Sequence, residues 1–107
     1  TKANVTSADV IYTVASSTTT VVLGIMVGNT TTSQVTGTIS IASTTSARAG
    51  NNDEANQTVE LVTNAPIPAG GTLELLAGNK VVMEAGDALS LTASGSSDIA
   101  VSIMEIT

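Results

Sequence analysis

Apolar and polar residues alternate with a period of two along most of this chain, and that spacing is typical of half-buried β-strands. The alternation is clearest from Thr72 to Thr107, where Gly-, Asn- and Asp-containing breaks separate four apolar runs. Gly, Asn and Asp tolerate the positive φ angles of tight turns, so these breaks predict hairpins between consecutive strands. The four predicted strands contain Leu73–Leu75, Val81–Met83, Leu89–Ala93 and Ile99–Ile103.

Four further strands are predicted upstream, and no segment shows a helical period. Thr, Val and Ile are abundant, which suits a pleated and half-buried surface. About eight strands in 107 residues predict an all-β fold, an antiparallel β-sandwich that is jelly-roll-like, although the pattern does not specify the strand order. The upstream strands are Asp9–Val14, Thr20–Val27, Gln34–Ala42 and Gln57–Thr63.

Two segments lack this periodicity. Residues 1–8 are small and polar, and we interpret them as a loose N-terminal arm before a single domain at 9–107. Residues 43–56 form the one long irregular stretch, and loops of that length in compact domains are usually functional or mobile. Pro66 and Pro68 mark a rigid crossover that a central strand would not accommodate.

The most hydrophobic strand, Thr20–Val27, has apolar residues on both faces. Strict alternation would place Val21, Leu23, Ile25 and Val27 on one face and Val22 and Met26 on the other. Either a loop or a second subunit must cover the additional face, and we favour a subunit because little sequence remains for a lid.

The last strand has apolar residues in both phases. Ile99, Val101 and Ile103 share one face, whereas Met104 and Ile106 point to the other. This pattern indicates either a bulge or a second apolar face. Together with the strand above, it predicts a subunit interface formed by Val22, Met26, Met104 and Ile106.

The charge of the chain disfavours two classes of partner. Nine acidic residues against three basic ones give a net charge of −6, and Lys2, Arg48 and Lys80 are scattered. Binding of phosphate backbones requires clustered basic residues, so neither nucleic acid nor an anionic membrane is predicted as a partner. The longest apolar run, 21–27, is far shorter than the roughly 20 residues that a membrane-spanning helix requires.

Candidate catalytic and metal-binding residues are few. The chain has no His and no Cys, so a Ser or Thr nucleophile would lack its usual base and a metal site would have only oxygen ligands. The Asn51–Glu54 cluster lacks the spacing of an EF-hand, and Glu84 and Asp87 flank a turn. Tyr12 alone is not an aromatic platform for a sugar. The sequence therefore predicts no enzyme, no cofactor and no metal site.

Four short elements in residues 64–107 resemble a known class of protein. They are Ala-Pro-Ile-Pro-Ala-Gly at 65–70, Gly-Asn-Lys at 78–80, Ala-Gly-Asp-Ala-Leu at 85–89 and Ser-Ile-Met-Glu-Ile at 102–106. In these elements the chain resembles small virion proteins of tailed bacteriophages that decorate, or cement, the head.

The resemblance implies a homotrimer on the outer capsid surface, with the major capsid protein as its partner. Such a protein is made in the host cytoplasm and then becomes part of the virion. Other small β-proteins of phage tails and necks have sequences of the same general kind. A tail or neck component therefore stays open as an alternative, and so does a surface glycan-binding module. The resemblance supplies no functional residues. From the arm and the long loop we predict lattice contacts at Lys2, Asn4, Val5 and Arg48.

Overall fold

The computed structural model of the chain describes residues 1–44, 57–76 and 79–107. Within these ranges the protein is all-β, in agreement with the prediction. The described strands are β1 (Lys2–Val5), β2 (Ala8–Thr13), β3 (Thr19–Asn29), β4 (Val35–Ala42), β5 (Thr58–Ile67), β6 (Thr72–Leu75), β7 (Val81–Met83), β8 (Ala88–Ala93) and β9 (Ser97–Ile106).

The strands form two antiparallel sheets that pack into a sandwich. The first sheet has the order β1-β9-β3-β6, with β7 also paired to β3, and the second has the order β2-β8-β4-β5. The pairs β1–β9, β2–β8, β3 with β6 and β7, and β4–β5 follow one another as a two-stranded ribbon folded over itself. That winding is a jelly roll.

The predicted strands of the last third are all present, but the predicted hairpins between them are wrong. β6 and β7 both pair with β3, β8 belongs to the second sheet, and β9 returns to the first. The Glu84–Asp87 turn does form, closed by a 3.0 Å hydrogen bond from the Asp87 N–H to the Glu84 carbonyl. It carries the chain from one sheet to the other, because turn chemistry specifies a reversal and not the partner strand.

The interpretation of residues 1–8 as a loose arm is also wrong. Lys2–Val5 forms β1, an edge strand of the first sheet, paired to β9 at Lys2↔Ile99 and Val5↔Ser97. The Val5 side chain is 1% exposed and belongs to the core. A single buried apolar residue in a short strand has no sequence periodicity, so the pattern could not reveal it.

Strict alternation along β3 is interrupted by a bulge between Val22 and Gly24. An extra residue reverses the facing of every side chain that follows it. Leu23 is 41% exposed and points outward, whereas Ile25, after the bulge, is 1% exposed and points inward. Val22, also 1% exposed, therefore shares the inward face with Ile25 and not the outward face of Met26. The predicted alternation holds on each side of the bulge, but the two halves of the strand are out of phase.

The core lies between the sheets and is almost entirely aliphatic. Strand β4 contributes alternating buried positions, as predicted, and so does β8. Pro66 lies in β5, which is an edge strand and so tolerates the missing donor. The buried apolar residues are Val5, Val14, Val22, Ile25, Val27, Val35, Ile39, Ile67, Met83, Leu89, Leu91, Ala93 and Ile99.

Candidate functional site: the outer face of the first sheet

The outer face of the first sheet is covered by exposed apolar side chains. Cross-strand pairing aligns Val82 of β7, Val21 of β3 and Met104 of β9 in one row. Directly opposed residues of antiparallel strands point to the same face, so the three side chains form a continuous strip. We call the outward apolar side chains of this sheet the apolar face: Val21, Leu23, Met26, Val82, Met104 and Ile106.

These apolar side chains are strongly exposed, and they are neighbours on one surface. Met26 is 51% exposed, Val82 59%, Met104 48% and Ile106 52%. Scattered apolar residues are normal on a protein surface, but a contiguous apolar patch marks an interaction site. The apolar face is therefore the candidate interaction surface of the described residues.

The outer face of the second sheet has the opposite character. Its central row joins Val10, Ser90 and Ser40, and the next row joins Thr92 and Thr38. Hydroxyl side chains dominate this surface and are well solvated there. The two outer faces of the sandwich are thus chemically distinct, and only that of the first sheet carries the apolar patch among the described residues.

Small residues make a depression along the centre of the apolar face. Gly24 lies opposite Ser102, and Met26 lies opposite Ala100. A Cβ atom built on Gly24 or on Gly28 would meet no atom within 4 Å. Internal packing therefore does not require glycine at either position, and the absence of side chains leaves room for an incoming group.

Two shallow grooves follow from this depression. One of about 170 Å³ runs between Leu23, Met26 and Leu76, and a second of about 450 Å³ lies between Lys2, Met26 and Thr72. Both are lined mainly by apolar atoms and open to solvent. Grooves of this kind accept protruding side chains from another surface.

Three of the four predicted interface residues lie on the apolar face. Met26, Met104 and Ile106 point outward from β3 and β9. Val22 does not, because the bulge in β3 turns its side chain into the core, so its predicted place on this surface is wrong. The sequence left two explanations for the apolar residues on both sides of the last strand, a bulge or a second apolar face. The structure shows a second apolar face on β9, and the nearby bulge lies in β3.

Sequence reasoning missed Val82, the most exposed large apolar residue of the described chain. The signal was present in the unbroken run Val81-Val82-Met83. A three-residue strand with no polar position has apolar side chains on both faces. The bulge that places Leu23 outward had no comparable signal in the sequence.

Of the four predicted lattice-contact residues, the structure shows two exposed and one buried, and the fourth is not described. The Lys2 side chain is 44% exposed and its Nζ lies 3.1 Å from a carboxylate oxygen of Asp9. Asn4 is exposed at a φ of 59°, and its N–H donates to Asp98 Oδ1 at 2.9 Å. Val5 is buried and therefore unavailable for contact. Arg48 lies outside the described residues, as does the Asn51–Glu54 cluster.

One polar cluster closes the end of the sandwich near the apolar face. The Tyr12 hydroxyl donates to Glu105 Oε2 at 2.5 Å and, having one proton, accepts from Thr20 Oγ1 at 2.7 Å. Burial raises the pKa of Tyr12, and its hydrogen bond to the Glu105 carboxylate raises that pKa further. The phenol thus joins β2 of the second sheet to β3 and β9 of the first.

The described residues offer no cluster of three or more His, Cys, Asp or Glu side chains that would hold a metal ion. In the same ranges no helix is long and apolar enough to cross a membrane. Comparison of the chain with protein-family models, with curated proteins and with solved structures finds no match. The functional assignment therefore depends on the geometry of the apolar face and on the sequence itself.

Proposed function

We propose that this protein is a structural component of a bacteriophage head, a decoration or cement protein that assembles as a homotrimer through its apolar face. The single observation that carries the proposal is the contrast between the two outer faces of the sandwich. One face carries mainly polar side chains, with Val10 as a single exposed apolar residue in its central row, and the other exposes Met26, Val82 and Met104 at about half of their full area. Covering an apolar surface of this kind removes it from water and is favourable, and contiguous apolar patches mark interaction sites.

The outer face of the first sheet supplies much of the area that a subunit contact requires. Its strands contain 4, 11, 4, 3 and 10 residues. At about 3.3 Å per residue and about 4.8 Å between strands, they cover roughly 500 Å² of flat sheet, and side-chain relief increases the accessible area above that value. Stable interfaces bury about 800 Å² on each partner, so one sheet face provides most of a pairwise contact.

A cement protein acts by mass action. It binds the assembled lattice better than it binds separated capsid subunits, and this difference in affinity stabilises the lattice. Lys2 and Asn4 are exposed at the β1 edge of the first sheet. We assign the contact with the major capsid protein to this edge.

Matched substitutions test the assembly. Val82 and Val10 are both outward-facing valines on edge strands, 59% and 54% exposed on opposite sheets. We expect Val82→Lys to dissociate the oligomer in sedimentation velocity at micromolar concentration, because a charge would have to be buried in the contact. Val10→Lys should leave the sedimentation coefficient unchanged. A wild-type protein that sediments as a monomer would refute the assembly.

A second experiment tests the lattice role. Gel densitometry of purified particles should give a copy number close to that of the major capsid protein. A few to a few hundred copies would instead assign the protein to the tail or neck. Lys2→Glu, which reverses an exposed charge without affecting the buried Val5, should lower occupancy on heads while the oligomer stays intact. Equal occupancy of the variant would contradict the assigned contact edge.

A further inference from the structure

All of the sulfur in this sequence belongs to three methionines, and two of them lie on the apolar face. The sequence contains Met26, Met83 and Met104 and no cysteine. Met26 and Met104 are about half exposed, whereas Met83 is 0% exposed and belongs to the core. The structure therefore holds two accessible thioethers and one protected thioether in the same molecule.

The other side chains offer few targets to a mild oxidant. Peroxides transfer oxygen to the sulfur of cysteine and methionine, and exposed sulfur reacts first. The sequence has no Cys, His or Trp, and its one tyrosine is Tyr12. The Tyr12 hydroxyl is hydrogen-bonded to Thr20 and Glu105. A peroxide that reaches this protein is therefore directed to the apolar face.

The cross-strand neighbours of the two exposed sulfurs do not suit a polar group. Met26 lies opposite Ala100 on one side and opposite Glu74 on the other. Met104 lies opposite Val21. Ala and Val have no polar side-chain atoms, and an ionised carboxylate only accepts hydrogen bonds. A sulfoxide oxygen, which also accepts, would find its donors in water and not in these neighbours.

We propose that Met26 and Met104 are sites of reversible oxidation by peroxides, and that their sulfoxides prevent another surface from covering the apolar face. A sulfur lone pair attacks one peroxide oxygen, the O–O bond breaks and an S–O bond forms. The sulfur loses two electrons, and the peroxide gains them. The proton of the transferred oxygen passes to the leaving oxygen, which departs as water from hydrogen peroxide or as an alcohol from an alkyl hydroperoxide.

Oxidation changes the apolar face from one that favours contact to one that opposes it. A sulfoxide is polar, and burial of a polar group without a hydrogen bond lowers affinity by about tenfold or more. Two such groups on one face should weaken association by about a hundredfold. A covered face also excludes the peroxide, so the modification acts on free subunits. The oxidation itself depends only on exposure, whereas its effect on association rests on the proposed function.

Peroxide treatment followed by peptide mass spectrometry tests the sites. The protein used is Val82→Lys at low micromolar concentration, because the added charge keeps the face uncovered. We expect Met26 and Met104 to gain one oxygen at least about tenfold faster than Met83, which is the internal control. Equal rates at all three methionines would overturn the sites.

A matched variant tests the effect on association. Met26→Leu/Met104→Leu keeps the volume and apolar character of both side chains and removes both exposed sulfurs. After the same treatment, wild type should sediment as a smaller species, whereas the double variant should keep its oligomer. Methionine sulfoxide reductases of both stereospecificities should restore the wild-type oligomer. Loss of the oligomer in both proteins would assign the effect to Met83 and overturn the proposal.

Two further outcomes separate this inference from the proposed function. An untreated wild type that forms an oligomer, and keeps it after both exposed methionines are oxidised, would overturn the inference and leave the proposed function intact. An untreated wild type that sediments as a monomer would refute the proposed assembly and the effect on association together. The relative oxidation rates in Val82→Lys would still decide the sites in that case, since they depend on exposure alone.

Discussion

At the scale of single residues, Asn29 is the polar centre of one end of the sandwich. Its side chain is 4% exposed, and Nδ2 donates to the carbonyls of Ser33, Ile67 and Pro68 at 2.8, 2.9 and 3.1 Å. Its Oδ1 accepts from the N–H and the hydroxyl of Thr31, both at 2.8 Å. The side chain thereby fastens the β3–β4 turn to the β5–β6 crossover.

We expect Asn29→Ala to lower the free energy of unfolding by about 2–4 kcal/mol, because the buried Ile67 carbonyl and several part-buried backbone groups would lose their partner at once. Asn29→Asp keeps the acceptor and loses both donors, so it should also destabilise. Gln34→Ala, an exposed change near the same turn, should lie within about 0.5 kcal/mol of wild type. Urea unfolding measures all three, and a neutral Asn29→Ala would refute this role.

The Tyr12 hydroxyl predicts a pH dependence. Its pKa is raised in the folded protein, so folding favours the protonated phenol. The stabilisation is fully present below the usual tyrosine pKa of about 10 and is lost as pH rises through the raised value. We expect Tyr12→Phe to lose about 0.5–1.5 kcal/mol at neutral pH. The difference between wild type and variant should be constant to about pH 10 and shrink above it. A difference that grows with pH would contradict the assignment.

At the scale of elements, the turn between β7 and β8 depends on one glycine. Gly86 has a φ of 90° as the third residue of the Glu84–Asp87 turn, and its N–H donates to the Val14 carbonyl at 3.0 Å. Asp87 accepts from the N–H of Glu84 at 3.0 Å and from the N–H of Thr44 at 3.1 Å. The turn is thereby attached to two neighbouring segments.

Replacement of Gly86 by Ala should destabilise the protein by about 1–3 kcal/mol, since a Cβ at positive φ is strained and overpacking adds to the cost. The new Cβ would collide with Oγ1 of Thr44. In a Thr44→Ala background the collision is removed and only the backbone strain persists. We therefore expect a smaller loss from Gly86→Ala in that background, measured as a double-mutant cycle by thermal unfolding. Equal losses in both backgrounds would exclude the collision.

At the scale of the whole molecule, the proposed association couples stability to concentration. Any contact that forms only between folded copies stabilises the fold by mass action. We expect the free energy of unfolding to rise by about 1 kcal/mol per subunit for each tenfold increase in protein concentration. Differential scanning calorimetry over a hundredfold range measures this as a rising Tm. A Tm that is independent of concentration would refute the proposed association.

Much of the fold was predictable because strand patterning is local. Alternation over 35–41 and 89–93 correctly placed Ile39, Leu89 and Leu91 in the core. The outward facing of Met104 and Ile106 followed from the same parity. The predictions failed where one residue changes the parity, as in β3, and where a single buried valine anchors a strand, as in β1.

The sequence by itself determined the class of fold, the position of eight strands and the aliphatic nature of the core, because these depend on residues adjacent in the chain. Only the tertiary structure decided which strands pair and which side of β3 points outward. Those features depend on contacts between distant segments, such as Val21 with both Val82 and Met104. Period-two patterning specifies two faces for every strand. The packing of the sheets decides which of these faces is buried and which is exposed to water.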